Sequence, residues 1–161
     1  MAVDGAEDVT ERLHRRAAGG LLIGVAAIFG LLWLGQIATT TMTGILPPDL
    51  LKAGISSNPV YALDLAFFLP LCALAGVGLL RRNRAAAYAF PMLIWVALMG
   101  AGVVGGFLLM AVAGDQIAMS VVVAITALSV GSLVLAARAL MRSDSATGLA
   151  RTVPLPAHLE G

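Results

Sequence analysis

The chain has 161 residues, of which 60% are hydrophobic and 12% are charged, with a net charge of +1. A soluble domain is about half apolar and about a quarter charged, so this composition excludes an ordinary soluble protein and indicates that lipid is the solvent. The single cysteine, Cys72, excludes an intrachain disulfide, a CxxC redox pair and a cysteine-rich metal site.

Four apolar stretches fill most of the sequence, and each is long enough to cross a bilayer as a helix. A hydrocarbon core about 30 Å thick needs about 20 helical residues. Two of the three connections are tight turns, which favour antiparallel neighbours. We therefore predict an all-α, four-helix transmembrane bundle with up-down-up-down topology. It occupies residues 18–141, with spans at 18–41, 59–80, 88–113 and 117–137.

The basic residues are distributed unevenly around these spans. Nine of the ten lie before span one, between spans two and three, or after span four, whereas Lys52 lies between spans one and two. Because basic residues favour the cytoplasmic side of a membrane, we predict that both termini are cytoplasmic. Residues 1–17 are predicted to be a charged cytoplasmic segment, and residues 142–161 a disordered cytoplasmic tail.

The connections have their own patterns. Residues 47–54 begin with prolines and end with a glycine, which predicts a short interfacial helix with Leu50 and Leu51 directed toward lipid or the bundle top. Residues 81–84 predict a tight cytoplasmic turn, and residues 114–116 a tight outer turn.

Small residues recur at four-residue spacing in the spans, a pattern that lets helix backbones approach closely in lipid. Such pairs serve either packing within the chain or an oligomer interface, and the sequence leaves both open. The pairs are Gly20/Gly24, Ala26/Gly30, Gly102/Gly106 and Ala127/Gly131.

Asp64 is the one Asp, Glu, Lys, Arg or His residue inside a predicted span. Asn58 is a good N-cap and Pro59 a good first helical residue, which places Asp64 about 7–8 Å below the helix start. An acid in the membrane is by default a functional hypothesis. The structural alternative is a carboxyl group near the outer interface, bonded to the loop or to Tyr61.

Other uncharged polar groups are predicted at the same level. Gln36 and the threonines at 39–41 and 43 lie at the outer end of span one. Together with Asp64 and Tyr61, Gln36 completes a candidate polar site for a cation, a lipid headgroup or a partner protein. The threonines alternatively satisfy backbone carbonyls of their own helix. Pro70 is expected to kink span two and loosen the carbonyl of Ala66.

Residues 58–65 read NPVYALDL, and Leu69-Pro70 and an arginine turn leading to Tyr88 follow. In this region, roughly residues 30–90, the chain resembles a group of small four-span bacterial membrane proteins. The resemblance implies the four-span topology and marks Asp64, and it implies no activity. It also points to a bacterial cytoplasmic (inner or plasma) membrane as the location.

The sequence predicts no catalytic residues, no metal site and no cofactor, because its two histidines lie outside the spans and no paired-ligand spacing occurs. The arginines flank spans and need no nucleic acid to explain them. We expect a non-catalytic accessory or scaffold subunit whose partners are the lipid bilayer and either a larger membrane protein or further copies of itself. The alternatives are a small transporter or permeation protein that uses Asp64 at an outward-facing polar mouth, and a membrane enzyme acting on a lipid or quinone.

Overall fold

The computed structural model describes residues 2–47, 50–51, 54, 58–112, 114 and 119–151, with side chains described at 11, 14–47, 50–51, 54, 58–112, 114 and 119–141. Every regular element among them is helical. Four of these helices are long and apolar enough to cross a membrane, which confirms the predicted all-α, four-span fold. They are α1 (Ala2–Thr43), α2 (Pro59–Arg81), α3 (Ala89–Val112) and α4 (Met119–Arg151).

The apolar stretches agree with the predicted spans to within a few residues at most ends. They are His14–Thr43, Pro59–Arg81, Arg84–Val112 and Met119–Met141. Helix α1 has 42 residues, which at 1.5 Å per residue gives about 63 Å, so it continues well beyond its span. Helix α4 likewise continues to Arg151, in contrast to the disordered tail expected from residue 142. Residues 152–161 lie outside the described part of the chain.

Helices α1 and α2 pack against each other along much of their length. They approach closely at Gly19 and Gly76, where a Cβ added to Gly76 would lie 2.8 Å from the Gly19 carbonyl oxygen and 2.7 Å from Ile23 Cγ1. A larger side chain at Gly76 would require α1 to shift, and one at Gly19 would be tight against the Gly76 carbonyl oxygen and Leu80. These two glycines therefore set the distance between α1 and α2.

The turn after α2 is as tight as predicted. Arg82 ends the helix in the left-handed region at φ 55°, and its backbone N–H bonds to the Gly78 carbonyl. Asn83 then caps a 3-10 turn, Arg84–Tyr88, that leads into α3. A Cβ on Gly78 would lie 2.5 Å from the backbone nitrogen of Ala86, so Gly78 allows this turn to fold back against α2.

Helices α3 and α4 form the second closely packed pair. The Ser129 hydroxyl donates to the Ala97 carbonyl oxygen at 2.6 Å, and Gly100 makes room for the same serine. Contacts between the two pairs are sparser, and most of them join α2 or α1 to α3. The buried cluster where the helices meet contains Leu22, Cys72, Ala75, Leu93 and Ala136.

Five glycines of the predicted small-residue pairs have little part in this packing, whereas Ala26 packs against the buried cluster. A Cβ added to Gly20, Gly24, Gly30, Gly102 or Gly106 would meet no described atom within 4 Å. Gly131 is in ordinary contact, 3.6 Å from Leu21 Cδ1. Packing within the chain is therefore the wrong explanation for these five glycines, because spacing places small residues on a helix face without saying which face meets a neighbour.

The connection between α1 and α2 is described in part. The backbone N–H groups of Leu50 and Leu51 bond to the Pro47 carbonyl, as expected for a helical turn there. Leu50 is buried and Leu51 is exposed, so only the first points to the bundle top. Residues 48–49, 52–53 and 55–57 and the outer-turn residues 115–118 lie outside the described residues.

Candidate polar site between α1 and α2

Helix α2 begins where the sequence places its start. The Asn58 side-chain oxygen accepts from the Val60 N–H at 2.9 Å, and Pro59 occupies the first turn, where a missing N–H has no cost. Tyr61 therefore lies in the first turn and Asp64 immediately after it.

The next turn of α2 is a π-helix, Asp64–Phe68, in which the Leu69 N–H bonds to the Asp64 carbonyl. Pro70 lies two residues after this turn. Its ring crowds the carbonyl of Ala66, four residues earlier, and it has no N–H to donate. The predicted disturbance at Pro70 is thus a widened turn. Because a π turn contains an extra residue, Asp64 and Phe68 no longer share the face expected for an α-helix.

The widened turn directs these two side chains to different helices. Asp64 meets α1, where Trp33 Nε1–H donates to Asp64 Oδ2 at 2.9 Å. Phe68 meets α3, where its ring stacks on Trp95 with centroids 4.4 Å apart. One turn of α2 therefore contacts both neighbouring helices.

Asp64 is 7% exposed, and Trp33 is its one side-chain hydrogen-bond donor among the described residues. No described side-chain hydrogen bond joins Asp64 to Tyr61, one of its two expected partners; most of the loop, the other expected partner, lies outside the described residues. Tyr61 instead stacks on Trp33, with centroids 4.3 Å apart and an interplanar angle of 21°. Phe29 contacts the same indole at 6.0 Å. Trp33 is the residue that joins Asp64 to Tyr61.

Trp33 was not among the predicted site residues, although the sequence contains a signal for it. An indole N–H inside an apolar helix needs an acceptor when it is buried. Asp64 is the strongest acceptor on the neighbouring span, and the antiparallel pairing of spans one and two brings their outer halves together. A search for buried donors as well as for charges finds this pair.

A pocket of about 330 Å³ lies beside this cluster, between the C-terminal end of α1, the start of α2 and the connection between them. Gln36 and Tyr61 both line it, so the structure brings these two predicted site residues together. Asp64 does not line the pocket and contacts it only through Trp33 and Tyr61. We call this cavity the Tyr61 pocket; its other lining residues are Ile37, Thr40, Thr41, Pro47, Leu50, Asn58 and Ala62.

The threonines at the end of α1 divide into two groups. The hydroxyls of Thr39, Thr41 and Thr43 donate to the carbonyls of Gly35, Ile37 and Thr39, four residues earlier, as the structural alternative predicted. The hydroxyl of Thr40 has no hydrogen bond to the described residues and faces the Tyr61 pocket. It is the threonine available to a ligand.

This arrangement can bind a ligand through hydrogen bonds in the pocket and can hold α1 against α2. Among the described residues, no three His, Cys, Asp or Glu side chains are grouped in a way that could hold a metal ion. Cys72 is buried and unpaired in α2. Comparison with protein-family models, with curated proteins and with solved structures finds no match to this chain.

Proposed function

We propose that this integral membrane protein is a non-catalytic accessory or scaffold subunit that packs in the bilayer against a larger membrane protein or another copy of itself. We place it in a bacterial cytoplasmic membrane with both termini cytoplasmic. The observation that carries the proposal is the use of Asp64: its carboxyl group is bonded across the α1–α2 contact by Trp33.

A carboxyl group that serves transport must reach a path for water or ions. Asp64 is instead buried, and the stacked rings of Trp33 and Tyr61 separate it from the Tyr61 pocket. In lipid, a hydrogen bond between helices contributes about 0.6 kcal/mol on average and up to about 1.7 kcal/mol. This geometry supports a structural role for the acid.

The exposed faces of α3 and α4 support the proposal of a membrane-protein partner. Gly102, Gly105 and Gly106 have open space around them on α3, and only 11% of the apolar window of α4 is buried within the chain. Small residues let another backbone approach closely. These helices offer a surface that a second membrane protein can cover.

The test is purification of the tagged full chain in mild detergent, followed by mass spectrometry of proteins that co-purify and by measurement of oligomeric state. We expect Gly106→Leu to reduce the recovered partner or oligomer. Ala111→Leu, a small-to-large change at an exposed position on the opposite side of α3, is the control. Equal recovery from both variants would show that the glycine face meets lipid.

The second candidate is a small transporter or permeation protein. One observation favours it. Tyr61 lines the Tyr61 pocket and stacks on Trp33, which bonds to Asp64, the only acid among the described residues of the spans. Asp64→Asn separates the two functions, since it keeps an acceptor for Trp33 and removes the charge. A stable Asp64→Asn protein that loses flux or growth support would favour transport; a stable and active one favours the subunit.

The orientation has its own test. Cysteines introduced singly at Lys52, Arg82 and Asp115 in a Cys72→Ala background would be labelled with a membrane-impermeant reagent. We expect labelling of positions 52 and 115 in intact cells, and of position 82 only after membrane disruption. The opposite pattern would reverse the proposed topology.

A further inference from the structure

We propose that one end of the bundle, where arginines from all four helices and a turn collect, binds the headgroup of an anionic phospholipid. The site does not depend on the subunit role or on which side of the membrane this end faces. We call it the arginine end; its six arginines with described side chains are Arg15, Arg16, Arg81, Arg82, Arg84 and Arg138.

The arginines lie at the ends of the four apolar stretches. Arg15 and Arg16 are in the first turn of the first stretch, and Arg81 ends the second. Arg84 begins the third, and Arg138 is in the last turn of the fourth. Because successive spans of the bundle run in opposite directions, these four ends lie on the same side of the membrane.

Packing of α1 against α2 brings two of these ends together. A Cβ added to Gly19 would lie 3.0 Å from Leu80 Cδ2. The turn of α1 that precedes Gly19 carries Arg15 and Arg16, and Arg81 directly follows Leu80. The arginines of α1 therefore lie beside those at the end of α2.

Helix α4 brings its arginine to the same level. A Cβ added to Gly131 would lie 3.6 Å from Leu21 Cδ1 on α1. Arg138 follows Gly131 by the same number of residues as His14 precedes Leu21, about 10 Å along each helix. Since α1 and α4 run in opposite directions, Arg138 is level with the start of the first apolar stretch.

The turn between α2 and α3 holds three of the arginines on a well-defined backbone. The Asn83 N–H bonds to the Gly78 carbonyl at 3.1 Å, and the Asn83 side chain accepts from the Ala85 N–H at 2.9 Å. All three arginine side chains of this turn are exposed. A backbone that is already ordered loses little freedom when a ligand binds, which favours binding.

The acids near these arginines lie mostly beyond the ends of the spans. Glu11, one turn before Arg15, bonds to it at 3.4 Å, and no described residue forms an ion pair with the other five arginines. The next acids along the helices, Asp8 on α1 and Asp144 on α4, are about 9–11 Å farther out than Arg15 and Arg138. Positive charge is therefore in excess at the level where the spans end.

The residue types and the level indicate the ligand. Every Lys or Arg that flanks this end in the sequence is an arginine, whose planar guanidinium group binds phosphate through paired hydrogen bonds. The ends of apolar spans lie at the lipid headgroups. Leu80 and Tyr88 are exposed beside the turn and can contact an acyl chain. An anionic phospholipid matches both features, whereas a nucleic acid or an acidic protein matches only the charge.

Native mass spectrometry of the full chain, released from a neutral detergent, would count the lipids bound. The protein would be titrated with dioleoyl phosphatidylglycerol and, separately, with dioleoyl phosphatidylcholine, which has the same acyl chains and no net charge. We expect saturable binding of the anionic lipid with a Kd at least about 5-fold lower, since one arginine near an anionic headgroup contributes about that factor.

Single substitutions with a matched control locate the site. Arg82→Gln and Arg84→Gln should each weaken binding of the anionic lipid about 3- to 8-fold, and Arg82→Lys, which keeps the charge, should weaken it less. Arg151→Gln removes the same charge from the end of α4, about 20 Å beyond Arg138 along the helix, and should leave binding nearly unchanged. Thermal unfolding would verify the fold of each variant.

Further outcomes would overturn the proposal. Equal affinity for the two lipids would show that charge does not select the headgroup, and equal weakening by Arg151→Gln and Arg82→Gln would show a response to net charge without a site. Glycerol 3-phosphate should bind much more weakly than the lipid; equal binding would make free phosphate the source. Tighter binding of a polyglutamate peptide or an oligonucleotide than of phosphatidylglycerol would assign this end to a macromolecule.

Discussion

The two helix pairs of this bundle are held together by different means. Helices α1 and α2 share a glycine-to-glycine backbone approach, an indole–carboxyl hydrogen bond and an aromatic stack. Helices α3 and α4 share one described hydroxyl-to-carbonyl hydrogen bond, beside Gly100. The first pair is specified by several independent polar and steric features, and the second by few.

The difference matters because the solvent is lipid. Lipid tails compete equally for apolar side chains, so apolar contact alone does not choose a partner. Close backbone approach and interhelical hydrogen bonds do choose one. We therefore expect α1–α2 to be the more stable pair and α3–α4 the pair that another protein can more readily contact.

The largest effect is expected at the glycine approach. Gly76→Val places side-chain atoms against the backbone of α1, and we expect a loss of about 2–3 kcal/mol in the free energy of unfolding. Gly24→Val, on α1, where a Cβ meets no described atom within 4 Å, is the control and should cost much less. Unfolding in detergent micelles would measure both. Equal losses would show that the approach of Gly19 and Gly76 does not set the pairing.

The next effect concerns the tie between Trp33 and Asp64. Asp64→Leu leaves the indole N–H unpaired and should cost about 1–3 kcal/mol, as should Trp33→Phe, which leaves the carboxyl group without its donor. Asp64→Asn keeps an acceptor and should cost less than either.

The double variant Trp33→Phe/Asp64→Leu tests whether the two residues act together. Because both single changes break the same bond, the double variant should lose less stability than their sum, by about 0.5–3 kcal/mol. Strictly additive losses in the free energy of unfolding, measured by chemical unfolding, would show that Trp33 and Asp64 do not act through a shared hydrogen bond. A stable, fully active Asp64→Leu protein would contradict both the structural and the transport roles of the acid.

A smaller effect is expected in the second pair. Ser129→Ala removes the bond to the Ala97 carbonyl and should cost about 0.6–1.7 kcal/mol. Ser132, three residues on, is buried with a hydroxyl that has no hydrogen-bond partner in the described structure. Ser132→Ala should therefore be neutral or stabilising. A greater loss for Ser132 than for Ser129 in thermal unfolding would reverse this ranking.

The smallest effect is expected on the glycine face of α3. Gly102→Leu meets open space and should change the chain's own unfolding free energy by about 0.5 kcal/mol or less. The monomer in detergent would be measured. A loss as large as that of Gly76→Val would mean that this face packs within the chain after all.

The start of α2 was predictable because its causes are local. Asn58 and Pro59 act on neighbouring backbone groups, so a short stretch of sequence is enough to predict the helix start. The partner of Asp64 was not predicted. An indole donor in span one is a signal for it, but Trp33 is 31 residues away, and the π turn changes the directions of Asp64 and Phe68 from those of an α-helix. Gln36 and Tyr61 were predicted at one level, but their common pocket depends on how the two helices and Leu50 pack.

The amino-acid sequence alone determined that this protein is a four-span membrane bundle, since span length and apolar composition follow from the thickness of the bilayer. Only the tertiary structure decided which glycines pack: Gly19, Gly76, Gly78 and Gly100 meet a neighbour, and the predicted Gly102 and Gly106 do not. The physical reason is that four-residue spacing fixes a face on one helix, whereas contact requires a second helix to be turned toward that face.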